Sequence, residues 1–175
     1  MDHRIALKSN TPLRLCNDRG EAIHCVIESE IGRGGSCIVY EAARITDTGD
    51  KTLYRAKEFY PYKLNISRDE NNGLTPSAND AEVFAQKQEQ LRSDFSRTNQ
   101  LFYSDTNYSS MANQLDVFRQ NGTSYVLSAY SSKKTLATYK PESLKECITL
   151  VKKVAYVLGN IHKPVSYTHL RAHET

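Results

Sequence analysis

Apolar and polar positions alternate over short stretches in the first third of the chain and then shift to a helical spacing. That change of period predicts the order of elements. Residues 12–16 and 21–28 are short alternating or apolar runs around Asn17-Asp18-Arg19-Gly20, a turn cluster, and predict a hairpin. A strand then leads into Ile31-Gly32-Arg33-Gly34-Gly35-Ser36-Cys37-Ile38-Val39-Tyr40, and the run from Ile38 to Ile45 is rich in β-formers. Thr46-Asp47-Thr48-Gly49-Asp50 is a second turn, and Leu53 to Tyr60 reads as a third strand. Residues 61–78 contain Pro61, Pro76 and Asn71-Asn72-Gly73, and predict an exposed loop.

From Asn79 to about Phe95 the pattern is helical, with Phe84, Leu91 and Phe95 on one face and Asn79 or Ser77 as the N-cap. Residues 96–113 are polar and irregular. Leu115–Phe118 and Ser124–Tyr130 flank Asn121-Gly122, the strongest short hairpin signal. Pro141 to His162 is a long amphipathic helix with Leu144, Ile148, Val151, Ala155, Leu158 and Ile161 in its apolar stripe. The expected class is α+β with a mostly antiparallel sheet.

Composition changes this picture little. The 175 residues leave room for one sizeable core, and 39% hydrophobic with 25% charged residues suit a globular domain. A net charge of +3, with no Lys/Arg block, gives no ground for a nucleic-acid partner. Cys16, Cys25, Cys37 and Cys147 form no C-x-x-C and no zinc-ligand spacing, so reduced thiols and no metal site are expected. The N-terminus has no apolar signal core, and no apolar run reaches the ~20 residues of a membrane span. A cytoplasmic location is the resulting expectation.

The chemistry centres on Gly32, Gly34 and Gly35. Closely spaced glycines between strands let backbone amides approach phosphate oxygens with no side chain in the way. A dinucleotide fingerprint would continue into a helix, whereas Ile38-Val39-Tyr40 continues as a strand, and the Gly-Lys-Ser/Thr of a Walker loop is absent. Lys57 lies one hairpin later in Tyr54-Arg55-Ala56-Lys57. Alternation puts Tyr54, Ala56 and Glu58 on one face and Lys57 on the other with Arg55 and Phe59.

Taken in order, these segments resemble the protein kinase family. Ile31-Gly32-x-Gly34-x-x-Cys37-x-Val39 is similar to its Gly-rich loop, and Arg55-Ala56-Lys57 to the end of its V-A-I-K strand. Tyr125 to Tyr130 resembles the fifth strand running into the hinge, Leu136 the apolar residue after it, and Leu144 to His162 the helix before the catalytic loop. The resemblance covers about residues 22–163. It implies a kinase-like N-lobe of about five antiparallel strands plus one helix, then a hinge and one long helix of a truncated C-lobe. It also implies ATP as ligand. Ile31, Val39 and Ala56 would pack on adenine, and the amides of Gly34, Gly35, Ser36 and Cys37 would cover the phosphates. Lys57 would pair the α- and β-phosphates. Ser128 would be the gatekeeper, with Ala129 and Tyr130 offering hinge backbone groups.

The chain departs from that pattern in three places. Cys37 replaces the third loop glycine. The helix face through Phe84, Leu91 and Phe95 passes through Gln88 where the family has a Glu for the lysine; Gln88, Glu89 and Glu82 stay open as the partner of Lys57. No His-Arg-Asp loop and no Asp-Phe-Gly follows, so magnesium is expected only in a full-length parent.

Residues 165–175, VSYTHLRAHET, resemble residue for residue a translated transposase-type sequencing adapter. A metal site at His169 and His173 is therefore set aside, and a native chain cut near Lys163 or Pro164 is expected. The expected divisions are 1–21 as an N-terminal extension or hairpin, 22–130 as the kinase-like N-lobe, 131–163 as the start of the truncated C-lobe and 164–175 as a non-native tail. Three readings follow. The parent is a serine/threonine-type kinase acting on a protein substrate, with this fragment itself inactive; or it is a pseudokinase serving interaction; or it is a kinase-like small-molecule phosphotransferase.

Overall fold

A computed structural model of the chain describes residues 2–45, 49–103, 114–130 and 138–171. The chain divides into two compact units, Met1–Ser131 and Ser132–Thr175.

The first unit opens with β1 (Pro12–Cys16), β2 (Ala22–Arg33), β3 (Cys37–Ile45) and β4 (Lys51–Phe59). A small hairpin of β5 (Ile66–Arg68) and β6 (Leu74–Pro76) follows, then α1 (Ala81–Tyr103), β7 (Gln114–Gln120) and β8 (Thr123–Ala129). Six of the strands form a closed antiparallel barrel in the order β1-β2-β3-β4-β8-β7.

This corrects the expectation of a kinase-like N-lobe sheet of about five strands plus a helix. The residues read as an N-terminal extension supply the sixth strand. Pro12, which has no N–H to give to a ladder, sits at the strand's first position, where it is tolerated. Leu13 and Leu15 point into the core, and Cys16 pairs with Arg119 of β7 to close the ring. β2 bends enough to serve both neighbours because two bulges, at Ile27/Ser29 and Glu30/Gly32, break its register with β3.

Local chemistry explains the turns. The Asn17 carboxamide oxygen accepts from the amides of Arg19 and Glu21, and Gly20 takes a φ of +81°. Asn121 and Gly122 both have positive φ, 55° and 68°, as a two-residue turn between β7 and β8 requires. The stretch expected to be an exposed loop instead forms the β5–β6 hairpin, and Tyr60 and Leu74 at its borders are buried. α1 starts after Asp80, whose carbonyl accepts from the amide of Phe84; neither Asn79 nor Ser77 holds the cap position.

Ile27, Ile38, Tyr40, Ala42, Ala56 and Leu127 line the barrel interior with no measurable exposure. Among them lies a charged group. Glu58 accepts hydrogen bonds from Tyr40 (2.9 Å), Tyr125 (2.5 Å) and the Arg68 guanidinium (2.6 Å). Arg68 also donates to the carbonyls of Ile5 and Asn72, so each of the three guanidinium nitrogens of this buried ion pair makes a hydrogen bond.

The second unit holds α2 (Leu144–Arg171). It begins three residues beyond Pro141, after Ser143, whose hydroxyl accepts from the amide of Glu146. Leu144, Ile148, Val151 and Leu158 on this helix are exposed. The helical backbone includes residues 165–171 of the adapter-like tail.

Candidate functional site

Strand register builds a row across the outer face of the barrel. Gly32 pairs with Val39, Val39 with Lys57, Lys57 with Val126, and Val126 with Val117. Directly paired residues share a face, so Lys57 stands between two valines with a glycine one strand further on. A Cβ built on Gly32 would meet nothing within 4 Å, so the space above it is open. No ion pair holds Lys57 among the described residues. An open glycine, apolar flanks and an uncommitted cation fit a group that is flat at one end and anionic at the other.

Beside this row lies the β2–β3 turn, Gly34-Gly35-Ser36. The Gly34 amide closes it by donating to the Cys37 carbonyl at 2.8 Å. The three carbonyls of the turn all accept from the protein: Gly34 from the Arg4 guanidinium at 2.9 Å, Gly35 from the Tyr62 amide at 3.1 Å, and Ser36 from the Tyr60 amide at 2.9 Å. Arg4, Arg33, Gly34, Gly35, Tyr62 and Asp2 line a shallow cavity of about 320 Å³ on that side.

The remaining expected residues fall as follows. Ile31 is 42% exposed and Val39 half-buried. Cys37 is half-buried; burial pushes its thiol up, against an opposing pull from the Lys57 ammonium. Ala56 pairs with Tyr40 and Leu127 inside the barrel, on the opposite side of β4 from Lys57. The pleat therefore separates the two, and Ala56 has no exposed surface.

Ser128 is buried and donates to the Arg55 carbonyl. The Tyr130 amide donates to the Leu53 carbonyl. That bond marks Leu53–Tyr130 as a hydrogen-bonded pair, so the amide and carbonyl of Ala129, paired with Tyr54, turn away from β4. Leu136 lies outside the described residues.

α1 packs its Phe84 against Phe59, with ring centroids 5.4 Å apart, two residues along the strand from Lys57. Gln88 is on this side of the helix, but its amide donates to the Gly122 carbonyl at 3.3 Å. Glu82 accepts from Gln86, and Glu89 is 3.9 Å from Arg92; both are exposed.

The backbone is similar to that of a solved structure, PpkA-294 in its apo form. The TM-score is 0.52 and the identity 23%, over 75% of this chain and 41% of that one. At this identity the likeness concerns the fold alone. No protein-family model and no curated protein matches the chain.

Sequence reasoning missed Arg4 and the Glu58–Arg68 pair. Arg4 carries no motif; its role depends on a contact across 30 residues to Gly34 and 56 to Tyr60. Glu58 did leave a signal, since a carboxylate on the Tyr54–Ala56 face of a strand needs a buried partner. Among the described residues no cluster could hold a metal ion, and no helix is long and apolar enough to cross a membrane.

Proposed function

We propose that this chain is the ATP-binding part of a serine/threonine-type protein kinase, gripping the nucleotide on the outer barrel face around Lys57. The observation that carries the reading is the register row Gly32–Val39–Lys57–Val126 beside the Gly34–Ser36 turn. It supplies a cation, apolar neighbours and a glycine with open space above it on one face. Fold similarity to PpkA-294, a serine/threonine kinase fragment, supports the same reading, as does the sequence resemblance. Val39 would contact the base, Lys57 would pair phosphate oxygens, and Ala129 would present backbone groups to the adenine edge. Phosphoryl transfer to a protein hydroxyl would belong to a longer parent.

Titration calorimetry with ATP tests this. Lys57→Ala removes the charge-assisted contact and should weaken ATP about tenfold or more. ATP affinity equal in wild type and Lys57→Ala would sink the reading.

A second reading, a nucleotide-binding module without transfer, is favoured by one observation. Gln88 gives its amide to Gly122, and no described carboxylate pairs with Lys57. The readings part at turnover: ATP bound but no phosphoryl transfer by the full-length parent supports the second.

A further inference from the structure

The residues ahead of β1 run along the barrel as a strap. Leu7 is in the core and its amide donates to the Tyr40 hydroxyl; Asn10 donates to the Ile27 carbonyl. At its start Arg4 is 8% exposed although it carries a charge. Asp2 takes its Nε and one terminal nitrogen, at 2.9 and 2.6 Å. The other nitrogen donates to the Tyr60 carbonyl at 2.5 Å, and the guanidinium lies 6.0 and 5.9 Å from the rings of Tyr60 and Tyr62. Arg33 closes the arrangement by donating to the Arg4 carbonyl while pairing with Glu30.

The consequence lies in the glycine turn. Among the described residues all peptides are trans, so each N–H points opposite to the C=O of its own peptide plane. The carbonyls of Gly34, Gly35 and Ser36 are held by Arg4, Tyr62 and Tyr60. The amides of Gly35, Ser36 and Cys37 are thereby aimed away from Arg4, Tyr62 and Tyr60 respectively, as successive donors suited to an anion. Two of these three planes are held by backbone. The Gly34–Gly35 plane, flanked by two glycines and therefore cheap to flip, is held by a side chain.

We propose that Arg4 is a positioning residue for phosphate recognition: it sets the Gly34–Gly35 peptide plane so that the Gly35 amide joins its neighbours as a donor to the nucleotide's phosphates. This rests on the nucleotide-binding reading above, and the experiment separates the two. Arg4→Met keeps the aliphatic packing and removes every donor. Calorimetry with ATP and with adenosine is paired with ¹⁵N amide spectra of Gly35, Ser36 and Cys37.

Arg4→Met should weaken ATP about tenfold and leave adenosine unchanged, while the Gly35 amide shifts or broadens and the Asn121-Gly122 turn keeps its wild-type resonances. A merely structural role would weaken both ligands alike. Equal loss of ATP and adenosine, or unchanged ATP affinity, overturns the proposal. If wild type binds neither ligand, the nucleotide reading and its phosphate clause fail together. The Gly35 resonance then reports on the clasp alone: a changed signal upholds plane-setting by Arg4, and an unchanged one refutes it. Should Arg4→Met not fold, Arg4→Lys is read by the same criteria, since an ammonium cannot serve Asp2, Tyr60 and Gly34 in the fork geometry of a guanidinium.

Discussion

Replacing Arg68 with methionine strands a carboxylate inside the barrel. Glu58 has no exposed surface, and Arg68 is its cationic partner at 2.6 Å. Two unit charges about 4 Å apart attract by about 4 kcal/mol at an effective dielectric of about 20. Much of that offsets the desolvation of both ions, so the pair as a whole contributes little, but removing one partner leaves the other's desolvation uncompensated. Breaking such pairs costs about 3–5 kcal/mol. The variant also releases the carbonyls of Ile5 and Asn72, but the Ile5 bond is exposed and water can replace it, so the expected loss stays at about 3–5 kcal/mol.

The chain has no Trp and 11 Tyr, so urea unfolding is followed by tyrosine fluorescence and circular dichroism. With an m-value of about 2 kcal/mol per molar urea, the midpoint should fall by about 2 M. Glu58→Gln combined with Arg68→Met removes both charges while keeping an acceptor for one of Tyr40 and Tyr125 and offering an N–H donor to the hydroxyl of the other, and should recover at least about 1 kcal/mol relative to the sum of the single losses. A loss under about 1 kcal/mol for Arg68→Met, or strictly additive single losses, would refute the buried-charge account.

Three further outcomes follow from other parts of the barrel. Gly122→Ala forces a Cβ onto a residue with φ +68° and to 2.6 Å from the Leu74 carbonyl oxygen; it should cost about 2 kcal/mol or more and lower Tm by several degrees in a thermal melt. Gly32→Ala adds a methyl into open space; stability should stay within about 0.5 kcal/mol, while ATP affinity falls if the outer face is the nucleotide site, as calorimetry would show. Burial, reinforced by the Glu58 charge, raises the phenols of Tyr40 and Tyr125 above their ordinary value near 10. Their neutral forms are favoured in the folded state, so that contribution is complete below pH ~10 and is lost as pH rises beyond it. Urea midpoints measured from pH 9 to 11 should decline, and less steeply in Tyr40→Phe.

Much of the local structure was legible from short-range signals. The hairpin around Asn17–Gly20 and the turn at Asn121-Gly122 depend on a few adjacent residues whose φ preferences and side-chain bonds settle the turn. Lys57 and Ala56 fall on opposite faces as two-residue alternation demands. The helix through Phe84, Gln88 and Leu91 was placed by its period, although it runs on to Tyr103 because the polar stretch after Phe95 has no breaker in its first turns. The stretch from 61 to 78 was misread because Gly and Pro marked turns correctly while saying nothing of the strands between them.

The sequence by itself determined the six strand segments of the barrel, the position of the glycine turn and the side of β4 on which Lys57 stands. These follow from period, propensity and turn chemistry within a few residues. Tertiary structure alone decided that β1 meets β7 and closes the sheet into a barrel, since that pairing joins Cys16 to Arg119 and no local pattern encodes it. It also decided that Glu58 finds Arg68, that Gln88 goes to Gly122, and that Arg4 holds the glycine turn. Each of these is a choice among hydrogen-bond partners that no local pattern encodes, and for Glu58 and Arg4 burial makes an unpaired group too costly to leave.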